Sequence, residues 1–321
     1  MTDFENKRPS KIIGIQFSIL GPHEIQKASV VEITNRDTHI NNKPVLCGLF
    51  DPRMGVLDPG MICPTDGLDY IQTPGYFGHI NLARPVYYIQ YLSTIMKISR
   101  CICIKCGKIL IDKAKYKYLL NLNADERWNK VFSLASKKRR CGEDSHNGCG
   151  CLQPKLKKEG LATIIAEWNE KEEELKGYEF KTEDSKMTIK IIPELMLKIF
   201  KKISDEDVNF MGFSPLWSRP EWMICQVLAI PPPQVRPSIK HDAQQRSEDD
   251  LTHIIINIIK ANKTLQEKLE QNAPPNVIDD WTTVLQYYVA TLVDNKIPGV
   301  AAVAQTNIHH PAQQANTDRY L

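Results

Sequence analysis

The chain has 321 residues, of which 42% are hydrophobic and 25% charged, and its formal net charge is +3. This length allows two domains, and so small a basic excess does not by itself indicate a nucleic-acid-binding protein. The sequence shows neither a secretory signal nor an apolar run that could cross a bilayer, which predicts a protein that is not secreted and makes no membrane contact. Its nine cysteines therefore predict reduced thiols or metal ligands rather than disulfides.

The first part of the chain predicts short elements separated by turns. Residues 12–20 alternate apolar and polar side chains and predict a strand, which Gly21 and Pro22 end. Pro22 suits the first turn of a helix that continues to Ala28. Further elements are predicted as strands at residues 30–33 and 85–88 and a helix over residues 91–99.

A group of cysteines in the middle of the chain has the spacing of a metal site. Cys103 and Cys106 are separated by two residues and precede Gly107, which is typical of a zinc knuckle because both sulfurs then point to one side. A second group follows, made of Cys141, Cys149 and Cys151. A redox pair or buried free thiols would explain an isolated pair of cysteines. The second group, around a polar segment that needs a metal to order it, favours zinc.

A basic run lies directly before Cys141 and consists of Lys137, Lys138, Arg139 and Arg140. A solvated surface is the plain interpretation of such a run. A rigid zinc knuckle beside it would favour phosphate contacts, which are independent of sequence and sensitive to salt. A nuclear import signal is a further interpretation.

The second half predicts longer elements. The predicted elements are strands at residues 161–168, 187–192 and 222–230, a helix over residues 193–202, and a short helix capped by Ser204. Pro231 to Pro233 predict a stiff extended arm, because each proline fixes φ and lacks a backbone donor. A polar loop follows at residues 239–246, and Ser247, with an acid three residues on, predicts the N-cap of a long helix. A short break at two prolines then predicts an antiparallel pair with a second helix over residues 277–293.

Several motifs resemble, in one order, the largest subunit of eukaryotic-type DNA-directed RNA polymerase, of the RNA polymerase II kind. The matching stretches are GLFDPRMG at residues 48–55, GHI at 78–80, LARPV at 82–86, QPK at 153–155, KEGL at 158–161, RPEWM at 219–223, PPPQVRPS at 231–238 and RSEDDLTH at 246–253. The resemblance covers the N-terminal clamp region of such a subunit. In that family the clamp closes over template DNA and the RNA–DNA hybrid, and the loop after the proline arm is the lid.

The resemblance implies partners and contact residues for this chain. The implied partners are the other polymerase subunits, template DNA and the RNA–DNA hybrid, in a nuclear or cytoplasmic protein. The residues expected to contact nucleic acid are Lys137, Lys138, Arg139, Arg140, Arg236, Lys240 and Arg246.

The resemblance also implies zinc sites. The first family site has the pattern Cys-x-x-Cys, six residues, Cys-x-x-His, and falls here on Cys63, Asp66, Thr73 and Tyr76. Only Cys63 is a good zinc ligand, so we expect no metal there, with apolar packing in its place. The second site predicts one structural zinc ion on Cys103, Cys106, Cys141 and Cys149. Cys101 and Cys151 are then spares, with Cys151 close enough to compete with Cys149, and His146 is an outside candidate.

The catalytic aspartates of the family are missing from the sequence. The family's enzyme transfers nucleotidyl groups with two magnesium ions. Asn123-Ala124-Asp125 begins like the magnesium loop, but Glu126 breaks the alternation, so Asn123 is expected to cap a helix. We therefore expect a part of DNA-directed RNA polymerase that binds no magnesium, which only the full enzyme would hold, and that is inactive alone.

These observations predict an α+β fold, an irregular zinc-stapled clamp with small mixed sheets and an antiparallel helical hairpin. The predicted division is a clamp core with a degenerate first zinc site at residues 1–80, a clamp head with a zinc knuckle at 81–235, a lid-like loop at 236–250, the hairpin of the clamp base at 251–296, and a disordered tail at 297–321. The degenerate site indicates a divergent member, such as one from a large DNA virus, which would then locate to a viral factory or virion. The alternative is a stand-alone zinc-stapled module that binds nucleic acid or protein without a polymerase.

Overall fold

The computed structural model describes residues 11, 13–144, 147–168, 181–183, 186–241 and 246–297. The helices in these ranges are α1 (Pro22–Ala28), α2 (Leu92–Ser99), α3 (Ala124–Ala135), α4 (Pro193–Phe200), α5 (Asp205–Met211), α6 (Asp250–Glu270) and α7 (Pro275–Val293). The strands are β1 (His39–Ile40), β2 (Lys43–Pro44), β3 (Gly78–Tyr87), β4 (Lys155–Glu159), β5 (Thr163–Trp168), β6 (Lys181–Glu183), β7 (Lys186–Ile191), β8 (Ile224–Ile230), β9 (Ile239–Lys240) and β10 (Arg246–Ser247). The predicted disordered tail lies outside the described residues, apart from Ile297.

The sheets are small, and the predicted α+β class is confirmed. Strands β4, β5, β7 and β6 form one sheet in that spatial order, and the other strands pair as β1–β2, β3–β8 and β9–β10. These pairs are antiparallel, and a parallel bridge joins Glu32 to His79. In the described ranges, the Glu32–His79 bridge is therefore the one place where the predicted mixing of parallel and antiparallel pairing occurs.

Local capping chemistry explains where several helices begin. Asn123 accepts a hydrogen bond from the Glu126 amide at the start of α3, and Ser204 caps α5 through the Asp207 amide, as predicted. The predicted cap of α6 at Ser247 is wrong. Ser247 is paired in β10, and Asp249 accepts from the Leu251 amide instead.

The strand predicted at residues 12–20 is not observed. Residues 13–20 are irregular, and a hydrogen bond from the Ile19 amide to the Trp217 carbonyl ties them to the fold. Ile13 and Phe17 are 99% and 94% exposed. Alternation of apolar residues indicates a strand only where a partner strand and a core are available. The described part of this chain supplies no partner strand here, and Ile19 alone of the segment's described isoleucines packs against a core.

Two hydrophobic cores meet along the antiparallel ribbon of β3 and β8. One core contains Val86 and Cys225 from the ribbon together with Ile255 and Leu285 from the two long helices. The other begins with the neighbouring pair Tyr87 and Ile224 and includes helices α2 to α5, the cysteine-rich segment and the four-stranded sheet. The ribbon thus joins the helical hairpin to the part of the chain that carries the cysteines.

The antiparallel hairpin of α6 and α7 is fastened to β3 by two side-chain amides. The Asn262 amide accepts from the Ala83 backbone N–H at 2.8 Å and donates to the Asn81 carbonyl at 2.9 Å. The buried Gln286 amide accepts from Tyr87 N–H at 2.7 Å and donates to the Tyr87 carbonyl at 2.9 Å. Each amide therefore takes the place of a neighbouring strand where β3 has no strand partner on that side.

Removal of the Gln286 amide should destabilise the protein strongly. Gln286→Leu keeps most of the side-chain volume but leaves the buried N–H and C=O of Tyr87 without partners. We expect the free energy of unfolding, measured by urea denaturation at constant zinc, to fall by about 2–4 kcal/mol. Gln266→Leu, on the exposed face of the same hairpin, should change it by no more than about 0.5 kcal/mol. Equal effects of the two variants would contradict the fastening role of Gln286.

Candidate metal centre and nucleic-acid interface

The cysteines of the predicted zinc site lie on a tight turn at Cys103 and Cys106 and on a wider turn from Cys141 to Cys149, of which residues 145 and 146 lie outside the described part. In the first turn the Cys103 amide donates to the Lys108 carbonyl and the Gly107 amide donates to the Cys103 carbonyl, both at 2.8 Å. Gly107 has a φ of 76°, which glycine adopts without strain. In the second turn Gly150, also at a φ of 76°, donates to the Cys141 carbonyl at 3.1 Å. The first turn therefore has the backbone of a zinc knuckle, and the Gly150–Cys141 hydrogen bond closes the wider second turn.

Four sulfurs from these turns form a cluster with the dimensions of a structural zinc site. The Sγ atoms of Cys103, Cys106, Cys141 and Cys149 all lie within 4.8 Å of one another. The Cys103–Cys149 and Cys106–Cys141 sulfur pairs are 3.5 and 3.7 Å apart. A tetrahedral zinc ion with Zn–S bonds of about 2.3 Å sets its sulfurs roughly 3.8 Å apart. The predicted ligand set is thus brought together and fits zinc.

The thiols of the cluster differ in how their surroundings shift the pKa. A hydrogen bond with the Cys151 thiol, more than any other contact, lowers the pKa of Cys103 to about 4. Burial raises the pKa of Cys106 and of Cys141. The Cys103 thiol therefore loses its proton more easily than the thiols of Cys106 and Cys141. A bound cation would favour the thiolate form of all four cysteines.

A residue that spacing arguments missed supports the cluster from outside. Gln153 donates from Nε2 to the Cys103 sulfur at 3.4 Å and to the Cys151 carbonyl at 2.8 Å, and its Oε1 accepts from the Ile104 amide at 3.1 Å. One amide therefore ties the two cysteine turns together beside a ligand atom. Cys101 is buried and lies outside the group of mutually close sulfurs, and the spare candidate His146 lies outside the described residues.

The degenerate first site is filled by hydrogen bonds, which corrects the expectation of apolar packing there. The Asp66 carboxylate accepts from the Thr73 hydroxyl at 2.8 Å and from the Tyr76 hydroxyl at 3.1 Å. Although desolvation opposes ionisation, bonds from Leu68, Thr73 and Tyr76 lower the pKa of Asp66. Cys63 supplies one sulfur, so these four residues do not fit a structural zinc ion.

The basic run lies beside the second cysteine turn, and its members differ in their surroundings. Lys137 and Arg139 are exposed. Lys138 is turned inward and pairs with Asp144 at 2.7 Å, and Arg140 donates to the Gly150 carbonyl at 3.3 Å. A backbone bridge between Arg140 and Leu152 makes the end of the run part of the turn itself. The run is therefore held in place by the structure that the metal would stabilise.

Arg236 is wholly buried, which contradicts the prediction that it contacts nucleic acid. Its guanidinium donates to the Leu49 and Pro231 carbonyls at 2.5 and 3.1 Å and to the Thr252 hydroxyl at 3.4 Å. It also lies over the Phe50 ring, 5.1 Å from the centroid. Burial lowers the pKa of Arg236 to about 10, against the attraction of nearby carboxylates. Arg236 therefore joins the proline arm to the turn at residues 49–50 and to α6.

The Arg246 side chain holds the base of the lid-like loop and does not extend into solvent. The Arg246 side chain is 9% exposed, pairs with Asp58 at 2.7 Å and donates to the Ser238 hydroxyl at 3.2 Å. Strands β9 and β10 close the loop, and residues 242–245 lie outside the described part. The backbone of Lys240 belongs to β9, and its side chain also lies outside the described part.

Comparison with known proteins identifies the family. The family model described as RNA polymerase Rpb1, domain 1, matches residues 9–313. The chain belongs to this family. DNA-directed RNA polymerase subunit Rpo1N of Methanocaldococcus jannaschii is 38% identical over an alignment of 302 residues that covers 91% of this chain. The chain spans 21% of the length of that relative. None of the helices in the described ranges has the length and apolar character that a membrane crossing requires.

Zinc content provides a test of the metal centre. We expect one tightly bound zinc ion per chain by elemental analysis, because the second site offers four sulfurs and the first offers one. Cys106→Ser should lose the zinc and expose the basic run to proteolysis, since binding free energy at such a site is also folding free energy. Cys63→Ser should keep the zinc and cost about 1 kcal/mol of stability. Two persistent zinc ions, or zinc lost only in Cys63→Ser, would mean that the sites are assigned wrongly.

Replacement of Arg236 distinguishes a structural from a nucleic-acid role. Arg236→Leu leaves the Leu49 and Pro231 carbonyls without their donor, so we expect the free energy of unfolding to fall by about 3 kcal/mol. Arg236→Lys should also be destabilising, because an ammonium group cannot reproduce the planar array of donors. Arg139→Leu, on the surface, is the matched control and should leave stability unchanged. An Arg236→Leu protein of normal stability would contradict the structural role.

Proposed function

We propose that this chain is the N-terminal clamp part of the largest subunit of a multisubunit DNA-dependent RNA polymerase, and that it holds template DNA and the RNA–DNA hybrid during transcription. The family match along residues 9–313 carries the proposal. The proposed partners are the other polymerase subunits and nucleic acid. Nucleotidyl transfer would take place in the full enzyme, with magnesium held outside this chain.

The proposed parts of the clamp correspond to consecutive ranges of the chain. Residues 81–235 form the clamp head, in which one zinc ion on the four cysteine sulfurs orders the two cysteine turns. Residues 1–80 form the clamp core, residues 251–296 form the hairpin of the clamp base, and residues 236–250 form a lid that separates RNA from template.

The zinc centre gives the basic run a fixed position, which is the physical basis for nucleic-acid contact. An exposed lysine on a mobile segment loses side-chain and backbone entropy when it binds phosphate. Here the run ends within the second cysteine turn, through the Arg140–Leu152 bridge, so its backbone is already ordered. Lys137 and Arg139 are the members whose exposure suits phosphate contact, whereas Lys138 is engaged by Asp144.

Nucleic-acid contact by the basic run is tested in the assembled polymerase. Lys137→Ala with Arg139→Ala should weaken binding of a template–hybrid scaffold and reduce the slope of log K against log salt by about one for each phosphate that the protein no longer neutralises. The control is the double variant Lys198→Ala with Lys201→Ala, which removes the same charge. Lys198 lies in α4 and Lys201 directly follows it, and both are exposed. An unchanged salt slope in the first variant would exclude phosphate contact by the run.

The isolated chain should show no template-dependent RNA synthesis, because the sequence lacks the alternating aspartates that hold catalytic magnesium in the family. The measurement is incorporation of labelled nucleotide with magnesium, template and primer present, and the assembled polymerase is the positive control. Incorporation by the purified chain would overturn the assignment of a holding role. A chain that binds nucleic acid but enters no polymerase would instead favour the stand-alone module.

A further inference from the structure

The degenerate first site retains the backbone of a zinc knuckle. The Cys63 amide donates to the Leu68 carbonyl at 2.9 Å, as the Cys103 amide does to the Lys108 carbonyl at 2.8 Å. The Gly67 amide donates to the Cys63 carbonyl at 2.8 Å, with the distance found for its counterpart Gly107. The glycine φ angles also agree, at 73° and 76°, and single bridges close the two turns between Ile62 and Asp69 and between Ile102 and Ile109.

Asp66 stands where the metal-site turn has a cysteine. Both Asp66 and Cys106 follow the first cysteine of their turn by three residues and precede its glycine. The carboxylate is smaller than a cysteine–zinc unit, yet it contacts both the turn that carries it and the chain that returns past the turn. Oδ1 accepts from Leu68 N–H within the turn at 2.9 Å, and Oδ2 accepts from the hydroxyls of Thr73 and Tyr76 on the returning chain.

The hydroxyls of Thr73 and Tyr76 converge on this carboxylate. Burial and the Asp66 charge raise the pKa of Tyr76, so the phenol stays protonated and acts as a donor rather than as a ligand. Two hydroxyl donors therefore surround one anion at these positions, which is the reverse of a zinc site, where anions and lone pairs surround a cation.

We propose that Asp66 replaces a metal ion as the centre of this knuckle. Its carboxylate joins the turn at residues 63–68 to the returning chain at residues 73–76 through the Thr73 and Tyr76 hydroxyls, so this segment closes without metal. The chain thus holds two turns of the same backbone form by opposite means: a cation between thiolates in one, and a carboxylate between hydroxyl donors in the other.

Limited proteolysis of the full chain, with cleavage sites mapped by mass spectrometry, tests the proposal. A zinc chelator should expose residues 101–151 and leave residues 60–77 protected. Asp66→Ala should do the reverse, raising the cleavage rate within residues 60–77 at least about tenfold while zinc content stays at one per chain. Retained zinc and unchanged cleavage elsewhere show that the variant has folded.

Variants that remove only hydroxyl groups separate the carboxylate network from general packing. Thr73→Val and Tyr76→Phe keep shape, and the double variant should be cleaved about as fast as Asp66→Ala, because all three changes break one network. Tyr70→Phe, an exposed phenol in the same segment, should be cleaved at the original rate. Cleavage of the double variant at the original rate, or opening of residues 60–77 by the chelator, would overturn the proposal.

Rebuilding the ligands tests whether the backbone is still that of a knuckle. Asp66→Cys, Thr73→Cys and Tyr76→His, combined with the native Cys63, restore the pattern Cys-x-x-Cys, six residues, Cys-x-x-His. We expect this variant to bind a second zinc ion and to become sensitive to the chelator within residues 60–77. A rebuilt variant that still binds a single zinc ion would show that the knuckle geometry is absent and would overturn the proposal.

Discussion

The structure is organised around the two-stranded ribbon of β3 and β8, whose backbone N–H and C=O groups need hydrogen-bond partners. Strands β3 and β8 satisfy each other along one side, and the N–H and C=O groups on the other side of β3 need partners, most of all where Tyr87 is buried. Asn262 and Gln286 supply amides that pair with β3 as another strand would. Because these amides belong to α6 and α7, satisfying the edge also fixes the hairpin. The helices, the ribbon and, through Tyr87, the core of the cysteine-rich part therefore form one connected body.

Arg236 performs a related task for the connection between β8 and α6. The prolines that follow β8 cannot donate hydrogen bonds, so carbonyl groups in this region need donors from elsewhere. A guanidinium with several donors in a plane serves the carbonyls of Leu49 and Pro231 together, and it packs on Phe50. The arrangement costs the burial of a charge. It fixes the start of the segment that leads to β9 and β10, whose base Arg246 also holds through Asp58.

The two knuckles show how one backbone turn serves different chemistry. A glycine with positive φ and two backbone hydrogen bonds shape both turns, and neither feature requires a metal. The turn presents a side chain at its third position after the first cysteine, and that side chain decides what closes the segment. At Cys106 it is a sulfur that joins three others. At Asp66 it is an acceptor that attracts hydroxyl donors, so the degenerate first site is organised by hydrogen bonds rather than by apolar packing.

The sequence by itself determined the elements whose cause is local and the ligands whose spacing is specific. Asn123 and Ser204 cap helices because their side chains reach amides three residues on, and Cys103 and Cys106 fall together because a tight turn requires it. The motifs also sufficed for the family. Only the tertiary structure decided the fate of side chains whose partners are distant in the chain. Arg236 had the charge of a surface contact, yet its partner Leu49 lies far away in sequence and draws it inside. Gln286 carried no local signal at all, since its role exists only once Tyr87 lies beside it.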